Sequence, residues 1–316
     1  TNVRTSLSRR RARGARRALV RMRALSAVAA RSAVPNVNFD FFPYCGIHRP
    51  VSLLVLPCRA SIERIVVATA LPADGDGPAM VYVRGTVVLS GPCEMRLSLA
   101  REPAVLPVTV AVAPAGPDSR APCEFEARLE IPPAHLRVWD LGRGELYELA
   151  SELVESGSGD RLDECATTFG VREVRLERGE LRLNGRVVRL RGFGKHEDFP
   201  VLGKGLSHAV NVRDAELLKW VGANSIRTTH YPYAEEVLEL CDAHGMLVID
   251  ECPAVSLNFG HTSDGGARLL RTHELTLREM IARDVNHPCV VAWCTANEPL
   301  SCAPNPLADR HFEAVS

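Results

Sequence analysis

Four short segments of this 316-residue chain place ionisable and amide side chains directly after apolar runs. They are Lys195-His196-Glu197-Asp198, Arg227 with His230, Asp250-Glu251, and Asn297-Glu298-Pro299. Unpaired buried charge is costly and tends to be kept where function needs it, so such clustering points to an active site. Glu298 is the strongest candidate. A carboxylic acid beside an amide donor, Asn297, just past an apolar strand, can be desolvated and so donate a proton at neutral pH. The plainer alternative is a loop glutamate capping a helix near Asn305 to Ala308. Glu251 invites a paired-carboxylate reading, since two groups on adjacent strand ends can approach the roughly 5 Å of retaining glycosidases. The simpler reading binds it to Arg227 or His230. His230 also suits a helix N-cap, His196 suits a loop histidine satisfied by Asp198, and Asp40 suits a turn or strand edge. Neither histidine has an i, i+4 partner, so no metal is assigned, and no cofactor is called for.

These segments need elements to hold them. Val187–Leu190 follows Leu181–Leu183 across Asn184-Gly185, a favoured two-residue hairpin turn. Ser225–Thr228 reads as a strand. Pro232 opens a helix with Val237, Leu240 and Cys241 at helical spacing, and Gly245 closes it. Met246–Ile249 is a buried strand. A second helix carries Leu277, Ile281 and Val285 and hands over to the strand Cys289–Cys294. This is a β/α pattern with parallel strands beginning near Val187, Ser225, Met246 and Cys289. An eight-stranded β/α barrel takes about 250 residues, so 176–316 provides about half of one. A dinucleotide fold is disfavoured, because Gly192-Phe193-Gly194-Lys195 lacks the third glycine and the helix after it.

Upstream, β-type runs at Arg64–Thr69, Met80–Leu89, Met95–Leu99, Val108–Val112, Phe125–Ile131 and Leu146–Leu153 alternate with Pro/Gly/Asp clusters, as in an antiparallel sandwich. The first 31 residues hold ten arginines and no acid, loosely like a transit peptide or a leader without structure. The rest carries 28 basic against 38 acidic residues, a net of −10, which argues against nucleic acid. No apolar run approaches the roughly 20 residues of a membrane span. Ten cysteines without a CxxC pair read mostly as reduced core thiols. There is no Asn-x-Ser/Thr acceptor, a point against secretion.

Arg191-Gly192-Phe193-Gly194-Lys195-His196-Glu197-Asp198, Gly222 to Glu236, Val248-Ile249-Asp250-Glu251, Arg283-Asp284-Val285-Asn286-His287-Pro288 and Ala296-Asn297-Glu298-Pro299 together resemble the β-glucuronidases of glycoside hydrolase family 2. Asp40-Phe41-Phe42 through Gly46-Ile47-His48-Arg49-Pro50 resembles the end of that family's sugar-binding jelly roll. After the arginine-rich leader over 1–37, which lies outside it, the resemblance implies a multi-domain β plus α/β fold: a jelly-roll remnant over 38–58, an immunoglobulin-like β-sandwich over 59–175, and the first half of a TIM (β/α)8 barrel over 176–316. It implies a retaining hydrolase of small or oligosaccharide β-D-glucuronides that assembles as a homo-oligomer. Glu298 is then the general acid/base, Asn297, His230 and Asp40 contact the sugar, and Arg227, His196 and Glu251 support the site. The family's nucleophilic glutamate and the Asn-x-Lys that grips the uronate are expected beyond Ser316, so residues 1–316 alone are expected to be inactive. A β-galactosidase of the same family and a non-catalytic carbohydrate-binding remnant remain as alternatives, and a cytoplasmic, lysosomal or organellar location stays open.

Overall fold

Between Ala79 and Leu89 every second side chain is buried, the period of a strand with one face on a core. The same alternation recurs through the first half of the chain. The protein is described here by a computed structural model covering residues 19–22, 46–72, 75–114, 116, 121–257, 259, 266–299 and 305–315. Within the arginine-rich segment, β1 (Leu19–Met22) pairs antiparallel with β2 (Leu53–Leu56). Then come β3 (Ala60–Ala70), β4 (Ala79–Leu89), β5 (Cys93–Leu99), β6 (Val108–Val112), β7 (Cys123–Ile131), β8 (Tyr147–Glu155) and β9 (Arg161–Phe169). They form two antiparallel sheets, ordered β3-β4-β7 and β6-β5-β8-β9. One core of side chains from both sheets, including Val81, Val83, Leu129, Met95, Leu97 and Leu149, lies between them.

A three-stranded antiparallel sheet follows, from β10 (Val174–Glu177), β11 (Glu180–Leu183) and β12 (Arg186–Val187). Asn184 and Gly185 make the β11–β12 turn with φ of 50° and 77°, the left-handed pair this hairpin needs. The strand near Val187 therefore belongs to this small sheet and does not open the parallel one.

The parallel sheet opens instead at β13 (Gly192–Lys195) and runs β13-β14-β15-β16, with β14 at Ser225–Thr228, β15 at Leu247–Glu251 and β16 at Val290–Cys294. A side chain at Gly192 would put its Cβ 1.9 Å from the Ser225 carbonyl oxygen, so the two strands pair only because that position is glycine. Helices α1 (His208–Trp220), α2 (Glu235–His244) and α3 (Ala267–Asp284) connect the strands, and α4 (Pro306–Val315) follows β16. Leu238 and Val237 of α2 pack with Ile226, Leu247, Val248 and Val290 into a second core. On α3 the buried face is His273, Leu277, Met280 and Asp284, rotated from the expected Leu277–Ile281–Val285 stripe. Gly245 ends α2 at φ 62°, as the sequence predicts.

The two layers are joined by side chains that act as backbone partners. Asn286 accepts from the Val67 N–H at 2.9 Å and donates to the Ile65 carbonyl at 2.9 Å, satisfying the outer edge of β3. Arg172 donates to the carbonyls of Pro288 and Val290, and Trp139 donates to that of Asp242. All eight described cysteines are free thiols, but only Cys93, Cys241, Cys252 and Cys289 are buried. No described helix is long and apolar enough to cross a membrane.

Candidate active site

Parallel register carries the last residues of neighbouring strands to one end of the sheet. Gly194 lies opposite Arg227, Arg227 opposite Ile249, and Glu251 opposite Cys294. Arg227, Glu251 and the segment after Cys294 therefore converge although they lie far apart in the chain. The Arg227 guanidinium is the hub. Its Nε stands 2.6 Å from Glu251 Oε2, and its Nη2 donates to Glu251 Oε1 at 2.9 Å and to Asn297 Oδ1 at 2.8 Å. Burial works against the guanidinium's charge, and the Glu251 carboxylate more than offsets it, so the Arg227 pKa rises.

Glu251 is 0% exposed and takes a third neighbour, His230 Nδ1, at 3.2 Å from Oε1. A carboxylate only accepts, so Nδ1 carries the proton, and in the neutral ring Nε2 is an acceptor. The His196 ring stands edge-on to His230 with centroids 5.5 Å apart, and His196 Nδ1 lies 3.5 Å from the Tyr231 hydroxyl. His230 is thus a partner of Glu251. The α2 N-terminus takes its acceptor elsewhere: the Ala234 N–H donates to Glu197 Oε1 at 3.1 Å.

Asn297 is fixed from both sides. Its N–H donates to the Ala254 carbonyl and its carbonyl accepts from the Ser256 N–H, both at 2.9 Å. With Oδ1 held by Arg227, its amide nitrogen Nδ2 is left as the donor. Glu298 follows at φ 44°, a left-handed conformation that non-glycine residues rarely adopt outside special sites. That turn leaves Glu298 exposed, so the desolvation expected from its place after an apolar strand is not provided by the described residues. Nor does Glu298 cap the next helix. Asn305 Oδ1 does so, accepting from the N–H groups of Leu307 and Ala308 at 3.1 and 3.4 Å.

A second group borders this site. Glu197, 2% exposed, pairs with Arg49, and its N–H donates to the Tyr231 hydroxyl at 3.1 Å. Arg49 also donates to the Lys204 carbonyl at 3.1 Å, and the Lys204 ammonium stands 3.4 Å from the centroid of the Tyr231 ring. Burial, then the Arg49 charge, push the Lys204 amine down to about 8, against the pull of Asp198. Arg227, His230, Glu251 and Asn297 are therefore brought into contact, His196 lies beside them, and Asp40 is outside the described residues. Glu197, Tyr231 and Lys204 carry no role in the sequence reading. Their hydrogen-bond partners lie 34 to 155 positions away, so no local pattern in the sequence pairs them.

Among the described residues, Asp242, His287 and Cys289 form a grouping of metal-ligating types, with ligand atoms within 4.8 Å of one another. Its atoms are already committed. Asp242 Oδ2 holds His287 Nδ1 at 2.5 Å, and Oδ1 accepts the Cys289 N–H at 2.9 Å. Burial raises the Cys289 thiol well above its ordinary range, the opposite of what a thiolate ligand needs.

Residues 174–315 match the family described as glycosyl hydrolases family 2, TIM barrel domain. The chain is 37% identical over 274 residues to the β-glucuronidase of Sus scrofa, covering 85% of this chain and 39% of that protein. It is 37% identical over 277 residues to the β-glucuronidase of Streptococcus agalactiae, covering 84% and 42%. The β-glucuronidase of Ruminococcus gnavus in complex with C6-substituted uronic isofagomine superposes with a TM-score of 0.73 at 36% identity, covering 88% of this chain and 43% of that one. The same enzyme in complex with D-glucuronic acid superposes with a TM-score of 0.70. The chain spans about two fifths of the length of the curated relatives it matches. Over 174–315 the chain is thus similar to the barrel domain of glycosyl hydrolases family 2, and over most of its length to proteins named β-glucuronidase.

Proposed function

We propose that these residues form part of the active site of a retaining hydrolase of β-D-glucuronides, with Glu298 as general acid/base. The observation that carries this reading is the Arg227 clamp, which holds Glu251 and Asn297 together at the C-terminal ends of parallel strands, where β/α enzymes place their chemistry. Glu298, next in the chain to Asn297, is exposed. In the first step its carboxyl proton passes to the glycosidic oxygen as that bond breaks and a second carboxylate bonds to the anomeric carbon. In the second step its carboxylate takes a proton from the water that displaces this carboxylate. Asn297 Nδ2, oriented by Arg227, donates to a hydroxyl of the sugar, and His230 Nε2 accepts from another. Glu251 is not the nucleophile in this scheme. A buried carboxylate committed to Arg227 and His230 is a poor attacking group, and retention needs a second carboxylate about 5–5.5 Å from the acid.

We further infer an immunoglobulin-like sandwich over 59–175, the end of a jelly roll over 38–58, and the start of a TIM barrel over 176–316. Supporting the first are seven strands paired as three and four, and Tyr147 at the start of β8. Its hydroxyl donates to the His135 carbonyl at 2.7 Å and accepts from the Arg137 N–H, as in a tyrosine corner. Supporting the second is Arg49, which ties its segment to Glu197 beside the candidate site.

In the full polypeptide, Glu298→Ala is expected to slow hydrolysis of glucuronides with poor leaving groups far more than those with activated aryl leaving groups, because only the former need the proton. External azide is expected to restore part of the second step. Equal losses on both substrate types without azide rescue would remove Glu298 from this role.

A further inference from the structure

Beneath the Arg227–Glu251 pair lies a buried carboxylate that the proposed reaction does not use. Asp250 precedes Glu251 on β15 and is 0% exposed. Its Oδ1 accepts from the Thr228 hydroxyl at 2.9 Å, and the oxygen of that hydroxyl accepts the Glu251 N–H at 2.8 Å. The other oxygen, Oδ2, is buried and receives no hydrogen bond from a described donor. The Asp284 carboxylate lies within hydrogen-bonding reach of Asp250. Asp284, also 0% exposed, has its two oxygens filled by Arg283 Nε and Nη2, each at 2.7 Å.

An acceptor facing an acceptor in a closed site needs a proton between them, because two buried carboxylates in contact cannot both stay ionised. Arg283 marks Asp284 as the ionised member, which leaves the proton on Asp250. We propose that Asp250 is kept protonated, donates to Asp284 while accepting from Thr228, and so serves as a positioning residue that fixes the Glu251 backbone and, through it, the Arg227–Asn297 clamp. The functional part of this inference rests on the reading of that clamp as an active site.

The titration points the same way. Burial pushes the Asp250 carboxyl up to about 7, the Asp284 charge and hydrogen bond add to the rise, and Thr228 and Arg283 oppose it. The titratable and charged groups facing Asp250 are Asp284 and Arg283 of α3 and Cys252 at its own strand end. Arg283 in turn faces Glu235 of α2 and Arg49. A raised carboxyl pKa means that the folded state binds the proton more tightly. The linked stability is present in acid and is lost as pH rises through about 7.

Infrared spectra of the wild-type protein on the acid side of pH 7 are expected to show a protonated carboxylic acid band that disappears on alkaline titration and is missing from Asp250→Asn. In Asp250→Asn the amide donates to Asp284 at every pH, so its melting temperature is expected to lose the decline that the wild type shows as pH rises from about 4 to about 7. In the full polypeptide with an aryl β-glucuronide, Asp250→Ala is expected to lose about tenfold or more in kcat with little change in KM, and Asp250→Asn to lose the alkaline fall of kcat. Absence of the acid band from wild type, or the same pH dependence of melting in wild type and Asp250→Asn, would overturn the proposal. If Asp250→Asn fails to fold, the wild-type infrared titration decides alone. A full polypeptide that turns over no glucuronide would count against the proposed function and leave the infrared and melting arms to judge the proton.

Discussion

A single guanidinium organises the candidate site, and its ion pair sets what a conservative change should do. Glu251→Gln keeps the shape of the side chain and its contact with His230 but removes the charge opposite Arg227. Arg227 is about one-third exposed, so water screens part of the loss, and the expected cost is about 1–3 kcal/mol of stability. Asn297 also loses the fixed Arg227 donor that orients its amide, so glucuronide turnover should fall with the melting temperature. An unchanged midpoint in urea would show that the pair contributes nothing. This contact was legible in the sequence, because Arg227 and Glu251 lie near the ends of adjacent strands and parallel pairing brings such positions together. The Asp250–Asp284 contact was not. Asp284 sits on a helix whose rotation depends on which side chains it buries, and the buried stripe included His273 and Asp284 where an apolar pattern predicted Ile281 and Val285.

Elements followed the same division. Strands with a clean apolar alternation, such as Ala79–Leu89 and Cys93–Leu99, were readable within a few residues, since one face must meet the core. Arg161–Phe169 was missed because it is a sheet edge with only Phe169 fully buried, so its apolar alternation is weak. Helix α1 was missed because it buries only Asn211 and Ala215 and leaves Trp220 82% exposed. Nor does local pattern disclose what Asn286 does, since its two bonds cross more than 200 residues to the edge of β3. Asn286→Ala removes both and leaves an N–H and a carbonyl of β3 unpaired. The expected loss is about 1–3 kcal/mol. It should fall on the coupling of the layers, seen as faster hydrogen exchange at Val67 while the sandwich core exchanges as before. Unchanged exchange at Val67 would refute the role given to Asn286.

At the scale of the molecule, buried histidines of opposite tendency set how stability responds to pH. At His287, burial favours the neutral ring, but the hydrogen bond and charge of Asp242 more than offset it and raise the pKa. Its contribution is therefore present in acid and lost as pH rises through the folded value. His273 and His311 go the other way. Burial lowers both, and the proximity of His273 lowers His311 further. His273 Nε2 lies 2.7 Å from the Thr295 carbonyl and so must carry a proton, which makes Nδ1 the acceptor from His311 Nε2 at 2.8 Å. A second proton on His273 would set two N–H groups face to face. The stability this pair provides is thus present above about pH 6.5 and lost as pH falls through the lowered values. Because His273 is on α3, His311 on α4 and Thr295 just past β16, that loss loosens the element that follows Glu298. His311→Gln supplies an amide donor that does not titrate. It is expected to melt near the wild-type temperature on the alkaline side of pH 7 and to decline less steeply than wild type below about pH 6. Parallel acid limbs for the two proteins, measured by thermal unfolding across that range, would show that the decline arises elsewhere.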